Sequence, residues 1–232
     1  MNRIFICSDT HGLMDIKKIK NLVKAKQPDE NDYIIICGDV GIGWNDEITF
    51  ALCNFYEDLQ TNILFIDGNH ENFPRIYGYP EQAWHGGRIH RIRNNIIHLM
   101  RGYVFTIDGK TIFTMGGAYS IDKYMRKEGY SWWKEELPSN TEYREAIKNL
   151  EEHNKQVDYI ITHTAPREII RRMCKYPDEH DMELTGFLEW IMYEVQFKKW
   201  FFGHWHFDRE VGEKFRAVWF DVVPVGESGG EK

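Results

Sequence analysis

With 232 residues, 42% of them apolar and 28% charged, the chain has the make-up of a soluble globular protein, long enough for one packed domain and barely for two. Its formal net charge is −7 and its Lys and Arg are scattered, so it lacks the basic face of a nucleic-acid-binding protein. No run approaches the roughly 18 apolar residues that span a bilayer, and MNRIFICSD enters a strand at once instead of forming a signal peptide.

The first predicted element is a strand, Ile4-Phe5-Ile6-Cys7, which stops at Ser8-Asp9-Thr10-His11. A helix follows, with Ile16, Ile19 and Val23 on one face. Tyr33-Ile34-Ile35-Ile36-Cys37 is a second strand, ending in Gly38-Asp39, and Ile48, Leu52, Phe55 and Leu59 mark a second helix. Ile63-Leu64-Phe65-Ile66 runs into Asp67-Gly68-Asn69-His70-Glu71. From about Arg88 to Gly116 successive strands are expected, with a turn at Asp108-Gly109. Residues 119–138 carry aromatic and basic side chains between strand and helix signals, which suits either a lid or binding loop or a packed surface excursion. Tyr143, Ala146, Ile147 and Leu150 give the next helix; Tyr159-Ile160-Ile161 then leads to Thr162-His163. Leu184, Phe187, Leu188, Ile191 and Val195 give another helix, and Trp200-Phe201-Phe202 ends at Gly203-His204-Trp205-His206. Residues 209–223 are strand-like again, and 226–232 form a Gly- and charge-rich tail expected to be mobile.

Continuous apolar runs mean strands buried on both faces, and strand–helix alternation plus a run of consecutive strands implies two mixed sheets with helices outside. One domain, residues 1–225, is the simplest division, with 119–138 as an insertion in it. Four cysteines (Cys7, Cys37, Cys53, Cys174) form no CxxC pair and read as buried reduced thiols, pointing to a cytoplasmic compartment.

Five of these strands end in carboxylate, imidazole or amide side chains, at the place where open α/β sheets carry ligand sites. Asp9, His11, Asp39, Asn69, His163, His204 and His206 suit borderline first-row metals, and without thiolate they are no structural zinc site. Seven donors are too many for one ion and right for two that share a carboxylate. Two such ions, roughly 3.5–4 Å apart, clamp the attacking and leaving oxygens of phosphoryl transfer. His85, His90, His98, His153 and His180 lie outside any motif and read as surface or satisfied core residues.

The order Asp-x-His, Gly-Asp, Gly-Asn-His-Glu, His, Gly-His-x-His, from Asp9 to His206, resembles the calcineurin-like metallophosphoesterases. The resemblance implies an α/β fold in a four-layer αββα sandwich, its two mixed β-sheets flanked by helices. It implies that Asp9, His11 and His206 hold one metal, that Asn69, His163 and His204 complete a second, and that Asp39 bridges them. His70 would be the catalytic histidine that protonates the leaving oxygen. The cofactors implied are two divalent transition-metal ions, Mn foremost, with Fe, Zn, Ni or Co as alternatives. They would act by a metal-bound hydroxide on a small-molecule or nucleotide phosphate ester, monoester or diester. A DNA or RNA nuclease of the same fold is the alternative, weakened by the scattered basic residues. A non-catalytic scaffold would be expected to have lost His70 or several ligands. Gly38-Asp39-Val40-Gly41 lacks the further Asp and Arg-Gly of the phosphoprotein-phosphatase branch, which argues against that activity. Trp44 could wall the pocket or fill the core, and Arg167, four residues past His163, is a candidate phosphate clamp.

Overall fold

The computed structural model describes residues 2–226; the predicted mobile tail lies, but for Gly226, outside the described residues. Thirteen strands form two sheets among the described residues. In the first sheet β1 (Ile4–Cys7), β2 (Tyr33–Cys37), β3 (Asn62–Ile66) and β6 (Ile96–Leu99) run parallel. Antiparallel β13 (Val223–Pro224) borders β1, antiparallel β5 (Gly87–Arg93) borders β6, and β4 (Glu81–Trp84) pairs antiparallel with β5 at the edge. In the second, β12 (Phe215–Ala217), β10 (Lys199–Phe202), β9 (Tyr159–Thr162) and β8 (Lys110–Met115) are parallel. Antiparallel β11 (Arg209–Val211) and β7 (Val104–Ile107) close its edges. Both sheets are mixed, as the residue patterns require.

The apolar runs are strands with period 2 hidden inside them. Ile35, Leu64 and Ile66 point with Ile112, Ile161 and Phe201 into a core between the sheets. Ile34, Ile36, Ile63 and Phe65 point outward, onto α1 (Lys17–Lys26) and α2 (Asp46–Asp58) through Ile19, Leu22, Leu52 and Tyr56. On the far side Phe113, Ile160, Trp200 and Phe202 meet α4 (Asn140–Glu152), α5 (Arg167–Arg172) and α6 (Met182–Glu194). Helix, sheet, sheet, helix: four layers follow because each strand is apolar on both faces.

The helices start where their caps permit. Asn45 Oδ1 accepts from the Ile48 amide of α2 at 2.8 Å. Ser139 and Glu142 form a reciprocal capping box at the head of α4. The five-residue α3 (Phe73–Tyr77), the short α5 and the edge strand β4 escape the sequence patterns because each is too short to show a period. Of the cysteines, three are buried and all are free, but Cys174 is exposed, contrary to the all-buried reading. Among the described residues no helix is long and apolar enough to cross a membrane.

Leu64, fully buried in the layer between the sheets, has no route by which its space could collapse. Leu64→Ala should lower unfolding free energy by about 2–5 kcal/mol. Urea denaturation at unchanged m-value checks this, and a loss under about 1 kcal/mol would mean the two sheets can close on the gap.

Candidate metal centre

Parallel pairing of β1, β2 and β3, and of β9 with β10, brings five loops to one end of the two sheets. Asp9 and His11 follow β1, Asp39 follows β2, Asn69 and His70 follow β3, His163 follows β9, and His204 and His206 follow β10. Two sets of donor atoms converge to within 4.8 Å: Asp9, His11 and His206, and Asp9, Asp39 and His163. Asn69 Oδ1 lies 3.0 Å from His163 Nε2 and 3.1 Å from His204 Nδ1. All seven predicted donors are therefore together.

Reaching this arrangement bends the backbone. Asp9, His11, Asp39, His204 and His206 all have φ between 44° and 67°, a region L-residues avoid and functional sites retain. Neighbouring glycines matter for room as much as for turning. A Cβ at Gly68 would stand 2.0 Å from Asp39 Oδ1, and one at Gly203 only 1.8 Å from Ser8 Oγ. These two glycines let backbone pass directly behind the carboxylates, whereas Gly38, at φ 96°, supplies a turn that L side chains rarely adopt.

Five of the seven donors are tied at the back and free at the front. Asp39 Oδ1 accepts the His70 amide at 2.8 Å, leaving Oδ2 at 3.5 Å from His11 Nε2 and 3.6 Å from His163 Nε2. Asp9 Oδ2 accepts the His204 amide at 3.1 Å, while Oδ1 faces His206 Nε2 at 3.2 Å. His163 Nδ1–H donates to the Cys37 carbonyl at 2.6 Å, and His11 Nδ1–H to Asp15 at 3.0 Å. In both neutral rings Nε2 is then a lone pair aimed at oxygen. Asn69 is oriented by Nδ2 donating to Ser120 Oγ at 3.0 Å, which turns its Oδ1 inward as well. Acceptor faces acceptor. Only a cation, or a bound proton, relieves that, so the donor set fits divalent ions.

Charge tells the same story. Burial would raise Asp39, but His163 and His11 hold it well below the usual carboxylate range. Burial opposes a charge on His163, yet Asp39 wins and raises it to about 9. His204, buried beside His163, is pushed down to about 3.

A family match decides the reading. The family model for calcineurin-like phosphoesterases matches residues 2–208, a span that contains every donor. The chain belongs to the calcineurin-like phosphoesterase family. It is thus a metal-dependent phosphoesterase. Two solved structures share the fold. One is TT1561 of Thermus thermophilus, at 11% identity and TM-score 0.54, covering 94% of this chain and 90% of that one. The other is a crystal structure at 14% identity and TM-score 0.52, covering 94% and 89%. No curated protein matches the chain.

Around this phosphoesterase centre stand residues that the motifs alone do not reveal. Asp15, four positions past His11, locks that ring's tautomer; the i, i+4 spacing is its only sequence signal. Lys18 is buried, and its Nζ donates to the Ser8, Asp9 and Trp219 carbonyls at 2.6, 3.0 and 2.5 Å, pinning the β1 loop. Glu71, wholly buried, accepts the Val40 amide at 2.7 Å. Trp44 walls a pocket: its Nε1–H donates to the His70 carbonyl, and it lines a cavity of about 350 Å³ with His70, Arg126 and Trp133. Arg167 does not reach the centre. It is paired with Glu189 of α6, so the clamp expectation fails. Of the five histidines outside the motifs, His90 and His98 are buried and bonded to each other through Nδ1 at 3.0 Å, satisfied core residues as expected.

The raised His163 gives a pH prediction for metal-free protein. A group held at about 9 in the fold and near 6.5 when unfolded adds stability that is complete below about 6.5 and lost as pH rises through about 9. Metal-free protein should lose roughly 3 kcal/mol across that window. Metal replaces the proton, so at saturating Mn the loss should shrink markedly. Denaturation curves at pH 6.5 and 9, with and without metal, measure both. Equal losses in the two forms would show that no metal contacts His163.

Proposed function

We propose that the protein hydrolyses a small phosphate ester at a binuclear centre. Asp9, His11 and His206 hold one ion, Asn69, His163 and His204 the other, and Asp39 lies between. The convergence of lone pairs on a common space carries this reading: His11 Nε2 and His163 Nε2 flank one Asp39 oxygen at 3.5 and 3.6 Å. When bound, the two ions supply an activated water and the positive charge that a phosphoryl group needs. Mn is the ion proposed first; a set of His nitrogens and carboxylate and amide oxygens also accepts Fe, Zn, Ni or Co.

The chain's own residues then place the substrate and manage the proton. His70 lines both the 350 Å³ cavity and a larger one of about 790 Å³, so it borders either route by which an ester arm can leave. Its Nδ1 is buried without a hydrogen-bond partner, and its Nε2 lies 3.3 Å from Asn69 Nδ2. Burial lowers its affinity for a proton and Arg126 lowers it further, against Asp39. A phosphoryl group beside Arg126 would offset that second effect and favour the protonated acid. Arg126, braced by Asp122 at 2.7 Å, is the cation in reach of such a group.

Residues 119–138 act as the lid in this reading. Tyr119, Ser120 and Glu136 are buried at its ends, while Tyr124 and Tyr130 are largely exposed in its middle. Arg126, Tyr130 and Trp133 face Trp44 across the smaller cavity. A space of this size suits a small molecule. Acidic residues around the larger cavity repel polyanions, which speaks against the nuclease alternative. A cytoplasmic setting is part of the same proposal, since three of four free thiols are shielded inside the core.

Two measurements test this. Asp39→Ala should reduce metal content from two ions toward one or none while circular dichroism is unchanged; two ions retained would end the bridging assignment. His70→Asn separates proton donation from metal binding. An alkoxide leaves badly without a proton and p-nitrophenolate leaves well. With metal retained, kcat/KM should fall about 10²–10⁴-fold on an alkyl ester and much less on an aryl one. Equal falls would make His70 a charge-stabilising residue instead.

A further inference from the structure

The larger cavity, about 790 Å³, reaches the metal centre through Asp39, Asn69 and His204. Its outer wall is acidic: Asp122, Asp178, Glu179 and Asp181 line it, and no Lys or Arg does. Two of the four have partners. Asp122 is paired with Arg126, and Asp178 accepts from His180 at 2.9 and 2.8 Å. Asp181 is different. It is only 4% exposed, and its buried Oδ1 has no hydrogen-bond partner. Lys123 is held over the Tyr119 ring at 4.3 Å and is not part of the cavity wall.

A buried carboxyl oxygen with nothing opposite it is costly unless a ligand supplies a donor or positive charge. Burial, Asp178 and Glu136 together push Asp181 up to about 8, against the opposing effects of His163 and the Tyr119 amide. The same wall carries the exposed Tyr176 ring, which favours an organic cation over a bare metal ion; the Tyr119 ring is already covered by Lys123 and stacked on His180. The smaller cavity is of opposite character, with Arg126 between Trp44 and Trp133. The two cavities share His70. A monoester has one arm and would fill one of them. A diester has two.

We infer that the substrate is a phosphodiester with one arm bearing an ammonium group in the acidic cavity beside Asp181, and its other arm against Trp44 and Trp133. This deepens the hydrolytic reading above and rests on it. In the reaction, water oxygen bonds to phosphorus and one P–O ester bond breaks. The departing alcohol oxygen takes a proton, leaving a monoester and an alcohol with no redox change.

The probes are two aryl diesters of the same shape: p-nitrophenyl phosphocholine and its uncharged isostere, p-nitrophenyl 3,3-dimethylbutyl phosphate. On Mn-loaded wild type the choline ester should be preferred about 10–100-fold in kcat/KM, the range of one charged contact. Asp181→Asn should bring the ratio close to one, and Glu179→Gln, an exposed change that leaves the fold alone, should lower it part of the way. Metal content is checked in each. A ratio near one in wild type overturns the subsite while the hydrolytic reading stands. A preference that survives both substitutions overturns it too, as does a loss that tracks lost metal, which would make these carboxylates metal-retaining groups. If neither ester is hydrolysed, the hydrolytic reading fails for diesters. Calorimetric affinities of the same two compounds then decide the subsite: tenfold tighter binding of the choline ester upholds it, equal binding removes it.

Discussion

The constraint on which the rest of this structure depends is the facing of acceptor against acceptor at the ends of the parallel strands. Asp39 Oδ2, Asn69 Oδ1 and the Nε2 lone pairs of His11 and His163 point at one another across 3.0–3.6 Å. In the metal-free chain a proton on His163, which Asp39 raises to about 9, is what relieves it. It holds because each group's other atom is tied to backbone or to a fixed side chain, and because a cation can occupy the middle. The left-handed backbone at five of the donors is a second cost of the same arrangement. Both costs are met by the cores on either side of each sheet, where Ile35, Ile36, Ile160 and Ile161 leave the strands no freedom to move apart.

This explains what the amino-acid order reveals and what it hides. The donors are legible because the chemistry admits few residue types and because each follows an apolar run long enough to mark a strand. The four layers are legible because Ile34-Ile35-Ile36 and Ile63-Leu64-Phe65-Ile66 have no polar face to give to water. The supporting residues are not legible. Lys18 looks like any surface lysine in Lys17-Lys18, and only the fold shows its ammonium buried on three carbonyls. Ser120 is one serine in a loop, yet it sets which way Asn69 faces across 51 positions of sequence. Arg167 shows the reverse error. Nearness in sequence to His163 suggested a clamp, but the first turn of α5 carries it to Glu189. Distance along the chain predicts contact only inside one element, and a ligand loop is where elements change.

The loop of residues 119–138 ties specificity to the metal centre. At its root Ser120 receives the Asn69 amide, and its own backbone N–H donates to Glu136 at 3.2 Å, closing the loop's two ends on each other. In its middle Asp122 and Arg126 pair and stand near enough to His70 to shift its affinity for a proton. These two charges belong to the same loop as Tyr130 and Trp133, which line the smaller cavity with Arg126. A change in this loop that alters which ester fits would also move the charges beside His70, and through Ser120 the orientation of a donor. Selection of the substrate and readiness of the centre are therefore held by one piece of backbone. In the proposed reading a group bound in the cavity would stabilise the loop conformation in which Asn69 Oδ1 points inward, and ions held by Asn69 would stabilise the same loop. Coupling of this kind is reciprocal by necessity, since both ligands favour one conformation of one segment.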